Sequence, residues 1–336
     1  MAAPFGQAQM NKTQARSFWI VEPGRGEIRS TPCSELKADE VRIRTLYTAL
    51  SLGTERLIFR GGVPKSQYEA MKAPYQEGSF PGPLKYGYCN VGVVEDGPSD
   101  IKGRTVFCLY PHQDTFVVSA DAVLPLPGAL SPKRAVLAAN METAINGLWD
   151  AGSLMGCRIA VLGAGVVGCM MAVLASRIPG TDVHLLDIDP GKANVADKLN
   201  VAFGAPDQHG GNADIVVEAS GSAGGLETAM DLAGFEANVV VMSWYGDTKV
   251  PLSLGGNFHS RRLKITSSQV GAVAPSHRAR WSNRDRLELA LDLLGDEVFD
   301  HLLTGSSRFE DLPETLAALS SDPSGTLCHV IGYGEP

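Results

Sequence analysis

Three glycines stand in the spacing G-x-G-x-x-G at Gly163-Ala164-Gly165-Val166-Val167-Gly168. An apolar, strand-like run over 158–162 leads in, and a helix-like run through Met170, Met171, Val173 and Leu174 leads out. A second strand-like run over 183–186 ends on Asp187, about twenty residues beyond the last glycine. Residues of these types in this order suit one task, holding the pyrophosphate of a dinucleotide. Gly163 permits a tight turn, Gly165 lets the backbone approach the phosphates, and Gly168 lets a helix pack close to the sheet. Val166 and Val167 open that helix, whose N-terminus offers unpaired N–H groups and a positive dipole end. Asp187 is expected to accept hydrogen bonds from ribose hydroxyls. Its charge repels a 2′-phosphate and no arginine follows it directly, so NAD(H) is favoured over NADP(H).

Further candidates lie at the expected carboxyl ends of strands, where a doubly wound sheet takes its ligand. Ser220 and Gly221 follow the run 214–218. Trp244 and Tyr245 follow 238–243 and are expected to wall a nicotinamide pocket. Ser268 and Gln269 follow 263–266 and are expected at its carboxamide. In the first third of the chain, Tyr86 and Tyr88 share one face of an expected strand and Lys85 the other. The Tyr88 phenol either exchanges a proton with substrate or fills core volume. Thr54 and Glu55 either meet a substrate hydroxyl or satisfy a turn. Glu142 either orients substrate or pairs with Lys85. The basic segment from His277 through Arg278, Arg280, Arg284 and Arg286 is either a solvated face or an anion site.

The elements that must position these groups fall into two patterns. Up to about residue 130, short apolar or alternating runs at 17–21, 41–45, 91–95, 105–109 and 115–118 are separated by Gly and Pro, as in a compact β-barrel-like unit. The segment 60–83 interrupts it as a long insert, with a short helix expected around 66–71, and reads as a lid or a disordered loop. From Ser131-Pro132, an N-cap followed by a first-turn proline, the pattern becomes helical. Strands and helices then alternate, which means a parallel doubly wound sheet. Its third strand is hard to place, because 201–212 is short and glycine-rich. Helices are expected at 224–233, 254–259, 284–294 and 312–318. A last strand over 327–333 is expected to return to the first unit. The expected division is 1–130 with 272–336, and 131–271.

At 336 residues, 44% hydrophobic and 20% charged, the chain has the size for two domains and the composition of an ordinary globular enzyme. A net charge of −8 argues against a general nucleic-acid grip. No apolar run reaches membrane-spanning length. Residues 1–14 lack a leader pattern and read as a disordered tail. Six scattered cysteines with no C-x-x-C pair point to free, mostly buried thiols and a cytoplasmic setting.

Local matches extend over nearly the whole length. Val94-Glu95-Asp96-Gly97 follows a glycine-containing strand. Arg104-Thr105-Val106-Phe107 is similar to a G-D-R-V strand, Leu124-Pro125-Leu126-Pro127 to an L-P entry into a cofactor domain, and Glu218-Ala219-Ser220-Gly221 to a D-x-x-G loop. With these, the sequence resembles the medium-chain dehydrogenase/reductase superfamily. The resemblance implies a Rossmann doubly wound sheet plus a GroES-like β-barrel catalytic domain, and homodimers or homotetramers. Ser51-Leu52-Gly53-Thr54-Glu55 is similar to the S-x-G-T-E of the bacteriochlorophyllide dehydrogenase branch, too short a match to imply a substrate.

The departures from the superfamily's zinc pattern decide the expected chemistry. Leu52 stands where zinc members place cysteine, and Gly87-Tyr88-Cys89 where they place G-H-E. The resemblance therefore puts Tyr88 in the place of a zinc histidine, and Thr54 and Glu55 at the proton-relay positions. Glu142 lies near the usual third ligand, and the four-cysteine lobe of a structural zinc is missing. Catalytic zinc takes about three protein ligands. A rearranged set from Cys89, Cys108, His112 and Glu142 has no support in spacing. The two cysteines read as buried small residues and His112 as a loop histidine. The expectation is an NAD(H)-dependent alcohol dehydrogenase or carbonyl reductase without metal, acting on a small polar substrate, with Tyr88, Thr54, Glu55 and Glu142 as site residues. The rivals are a zinc-free quinone or enoyl reductase, usually NADPH-linked, and a non-catalytic NAD(H)-binding regulator.

Overall fold

The computed structural model describes residues 14–323 and 325–334. The expected N-terminal tail lies outside them except for Gln14, which opens the first strand. The first unit holds β1 (Gln14–Glu22), β2 (Arg25–Pro32), β3 (Glu40–Leu50), a short helix α1 (Thr54–Phe59), β4 (Glu77–Gly78), β5 (Leu84–Lys85), β6 (Asn90–Asp96), β7 (Thr105–Cys108), β8 (Thr115–Ser119) and β9 (Val123–Pro125). In β3, Val41, Ile43 and Thr45 alternate inward, the period of a half-buried strand. Val41 and Ile43 meet Val94, Val106, Phe116 and Val118 in one core. The insert 60–83 carries no α-helix over 66–71. Pro64 and Pro74 flank a three-residue 3₁₀ turn at Lys65–Gln67, which leaves too little chain for a stable helix. The insert is pinned down by buried Val63 and Phe80 and by β4 pairing with β5.

The second unit starts with α2 (Pro132–Ala135) and α3 (Ala138–Ala151), two helices where one was expected. Ser131 sits at the N-cap with Pro132 behind it, but its side chain makes no capping bond. There follow β10 (Arg158–Leu162), α4 (Val166–Ser176), β11 (Asp182–Leu186), α5 (Ala193–Lys198), β12 (Ala202–Gly204), β13 (Ala213–Glu218), α6 (Ala223–Leu232), β14 (Ala233–Val241) and β15 (Lys264–Ser267). These strands form one parallel sheet in the order β12-β11-β10-β13-β14-β15, the dinucleotide-binding order with its switch point between β10 and β13. The elusive third strand is the three-residue β12. The helix expected at 254–259 is one irregular turn, Leu254–Phe258, because Gly256 adopts non-helical angles in its middle. Then come α7 (Asn283–Leu293), β16 (Leu303–Arg308), α8 (Leu312–Ser321) and β17 (Cys328–Gly332). β17 runs antiparallel to β3 and parallel to β16, so the last strand joins the first unit's larger sheet. No helix among the described residues is long and apolar enough to cross a membrane.

Candidate functional site

The glycine turn is built by contacts that exclude side chains. Gly163 has φ +108°, and a Cβ there would lie 2.7 Å from the Ala219 carbonyl and the Ser220 nitrogen. A Cβ on Gly168 would lie 1.9 Å from the Gly163 carbonyl oxygen. Gly165 caps α4 in an extended conformation and has open space on its Cβ side. Val166 and Val167 lie in the first turn of α4, whose amides have no intrahelical acceptor. Asp187 stands at the mouth, half-buried. One carboxylate oxygen accepts from the Ala164 N–H (2.7 Å) and the other from the Asp189 N–H (2.9 Å), leaving lone pairs on both. Asp189 caps the 3₁₀ turn Pro190–Lys192. Ile188, which the sequence reading passed over, is 90% exposed beside Asp187. Its signal was an isoleucine inside an otherwise polar turn.

The ends of β13 and β14 form a second cluster. Glu218 is fully buried. It accepts from the Ser220 N–H (2.9 Å), the Ser220 hydroxyl and the Tyr245 hydroxyl (2.6 Å). Burial and the adjacent carboxylate hold the Tyr245 phenol far above its ordinary range. Gly221 has φ +69° and donates to the Ser243 hydroxyl. Ser222 caps α6 through the Gly225 N–H. Sequence reasoning named Ser220, Gly221 and Tyr245 but not Glu218 as their anchor; an acidic residue ending an apolar strand was the signal. Ser268 takes a long hydrogen bond (3.5 Å) from Asn146, and the Gln269 side chain accepts from the Gly271 N–H.

Tyr88 lies where the two large apolar cores meet, with Leu52 and Trp244 packed against the same first-unit core. The side chains of Ser51 and Thr54 lie close to its phenol. Burial, with Cys89 and Glu55 close by, pushes it far above the ordinary tyrosine range, so the group keeps its proton near neutrality. Glu55 is 3% exposed. Its Oε1 accepts from the Ser51 N–H (2.9 Å) while the Glu55 N–H donates to the Ser51 carbonyl. Its Oε2 lies 2.9 Å from Nε2 of His112. His112 therefore departs from the expectation of a plain loop residue. Its backbone lies in the connection from β7 to β8, but its ring is 1% exposed and both nitrogens are engaged, Nδ1 with the Thr48 hydroxyl at 2.7 Å.

The alternative pairing of Glu142 with Lys85 is replaced by two others. Lys85 turns away from the tyrosines, as expected, but pairs with Glu77 and Gln113 rather than with Glu142. Glu142 instead meets Arg286 of α7, which also binds Asn146 and the Val270 carbonyl. Burial drives the Glu142 carboxyl up and Arg286 pulls it back. The basic segment is likewise partly spent on structure. Arg286 is buried, Arg284 reaches the Asp121 carbonyl and Glu288, and His277 stacks on Trp149 at 4.1 Å. All six cysteines are free, four of them buried.

A dinucleotide fits this turn: the glycine cradle is one that any Cβ would fill, and an open acceptor pair sits beside it. A catalytic zinc does not fit the donors present. Leu52 carries none, Glu142 is held by Arg286, and among the described residues no three His, Cys, Asp or Glu side chains gather as a metal site.

The chain as a whole superposes on solved dehydrogenases. The chain has the medium-chain dehydrogenase/reductase fold. A zinc-binding dehydrogenase of Sinorhizobium meliloti 1021 bound to NADP superposes with a TM-score of 0.75 at 16% identity, covering 95% of this chain and 99% of that one. The alcohol dehydrogenase rspB of Escherichia coli CFT073, complexed with NADH, gives 0.75 at 15% identity, with 95% and 99% covered. In sequence, the chain is 24% identical over 331 residues to the D-guloside 3-dehydrogenase of Escherichia coli K12, covering 89% of this chain and 91% of that protein. No family model matches.

Proposed function

We propose that this chain is a nicotinamide-dependent oxidoreductase. It interconverts a hydroxyl and a carbonyl on a polar, ring-bearing substrate of the glycoside or polyol class, uses NAD(H), and works without catalytic zinc. The observation that carries this reading is the position of the Tyr88 phenol at the junction of the two cores, close to the Ser51 and Thr54 side chains and to buried Glu55. When bound, the nicotinamide gives or takes the hydride. The chain's own task is to stabilise charge on the substrate oxygen, which zinc members do with the metal. Tyr88 and Thr54 supply hydrogen-bond donors there, and Glu55 is the nearby carboxylate that takes up the hydroxyl proton. Val166 and Val167 amides meet the phosphates, Asp187 the ribose hydroxyls, and Ile188 offers an apolar face to the adenine. Trp244, Ser268 and Gln269 border the nicotinamide, and Ser220–Gly221 the ribose next to it. The carboxylate of Asp187 favours NAD(H). The dehydrogenases of similar fold and sequence support an oxidoreductase, and the activity of the guloside relative supports a sugar ring as substrate.

Glu142 leaves the list of groups in contact with substrate, since Arg286 holds it. We further propose that the protein works in a reducing compartment, on its free thiols, and as a homo-oligomer.

The test is a fluorescence titration with NADH and NADPH, followed by NAD⁺ reduction with methyl D-guloside and a polyol panel. We expect at least tenfold tighter binding of NADH and measurable turnover. Tyr88→Phe should cut turnover at least tenfold and leave NADH affinity unchanged. Unchanged turnover removes Tyr88 from the chemistry. Tight NADH binding with no turnover of any probe makes the chain a regulator rather than an enzyme.

A further inference from the structure

The pair formed by His112 and Glu55 is, with Glu142–Arg286, one of two among the described residues whose partners are both almost wholly buried: 1% and 4% of their side chains are exposed. Taking a carboxylate out of water is costly unless it is well bonded. Glu55 is met by one backbone amide and one imidazole. The other titratable groups that feel its charge are Tyr86, Tyr88 and Cys89 from the stretch before β6, Cys328 of β17, and Tyr333. None of these carries positive charge.

The imidazole is held from three sides. Nε2 meets the Glu55 carboxyl and Nδ1 the Thr48 hydroxyl, so both ring nitrogens are bonded. Thr48 in turn lies 3.2 Å from the Tyr333 hydroxyl. Gly87, the residue before Tyr88, has φ +129°, and a Cβ there would lie 2.9 Å from Cδ2 and 3.1 Å from Nε2 of His112. The ring thus occupies the space of a missing side chain at Gly87, next in sequence to Tyr88. Its edge meets Phe18 with centroids 6.3 Å apart. A hydrogen-bonded polar network fixed this way has one arrangement, and breaking it at any member loosens the rest.

We propose that His112 is a positioning residue of the reaction centre: it holds the Glu55 carboxylate against the Ser51–Thr54 turn whose hydroxyls meet Tyr88. This rests on the oxidoreductase reading above. His112 touches neither substrate nor cofactor. It acts by keeping the Glu55 carboxyl aimed, through the bond from Nε2 to Oε2.

The test compares His112→Phe, which keeps a ring but has no donor, with His112→Gln, whose amide can still donate to Glu55. Thr48→Val serves as a third variant that breaks only the far bond, should the phenylalanine variant fail to fold. With NAD⁺ and methyl D-guloside, His112→Phe is expected to lose at least tenfold in kcat with KM within threefold. NADH affinity should stay near the parent's, and the thermal transition should fall, because Glu55 loses a buried partner. His112→Gln should recover most of kcat. Thr48→Val should fall between. A kcat near the parent's in His112→Phe, or equal losses in the Phe and Gln variants, overturns the proposal and leaves His112 a packing residue. A parent that turns over no probe sinks the oxidoreductase reading separately. The proposal is then decided by ¹⁵N-histidine spectra: NADH should shift the His112 Nε2 resonance in the parent and not in Glu55→Gln, and an unmoved resonance overturns it.

Discussion

Gly168 and Gly163 touch across the turn so closely that a methyl group on the first would collide with the backbone oxygen of the second. A backbone atom cannot step aside as a flexible side chain can. Gly168→Ala should therefore cost about 1–3 kcal/mol, as overpacking does, and weaken NADH binding at least tenfold; urea unfolding and fluorescence titration read the two effects. The thiols give a second residue-scale prediction. Burial pushes Cys108, Cys169 and Cys328 up to about 12 and Cys89 well above its ordinary value, so all four stay protonated and inert. Iodoacetamide at pH 8 should label the native protein only at the half-buried Cys33 and Cys157, as read by peptide mass spectrometry. At this scale the sequence was legible where chemistry is local. The glycine spacing and Asp187 could be read directly, because one turn and the next strand contain them. The Glu55–His112 contact could not, since its partners lie 57 positions apart and the Thr48–Tyr333 contact spans 285. Nothing in a run of residues says which distant loop will fold over a carboxylate.

Helix α3 and helix α7 are joined by the Glu142–Arg286 pair, with Asn146 on the same α3 face accepting a further bond from the guanidinium. Both side chains are buried, so removing one leaves the other charged and alone. Arg286→Met should destabilise the protein by about 3–5 kcal/mol, whereas replacing both with apolar residues of like volume should recover much of that loss; thermal and urea denaturation distinguish the two. Sequence reasoning placed the strands of the parallel sheet, because apolar runs bounded by glycine mark buried strands well. It did less well on short elements. β12 is three residues long and paired only to β11, so its neighbours rather than its own composition make it a strand. The expected helix at 254–259 had the right apolar spacing, but Gly255-Gly256 gives the backbone a cheaper non-helical path.

On the scale of the whole molecule, the open edge of the parallel sheet is β15, where Ile265 is 37% exposed, and Phe235 of β14 is 67% exposed. An unpaired edge with apolar side chains invites another strand. If the proposed homo-oligomer uses this edge, light scattering should give at least a dimer mass for the parent and half that mass for Ile265→Lys. A monomeric parent rules it out. The two-unit organisation could be read from the change of pattern near residue 131, but how tightly the units share a centre could not, because Tyr88 joins both cores only through folding.

β17 lies between β3 and β16, and Tyr333 just beyond it completes the row of bonds that ends at Glu55. A ribosome making this chain releases the whole parallel sheet, residues 158 to 267, before the strand that β3 awaits has been translated. For that interval the edge of β3 stands open and the acid–base pocket is incomplete, while the nucleotide cradle already has every residue it needs. Nascent protein is thus ready to grasp its cofactor earlier than it is ready to use it, and the newborn first sheet is the part most in want of a chaperone.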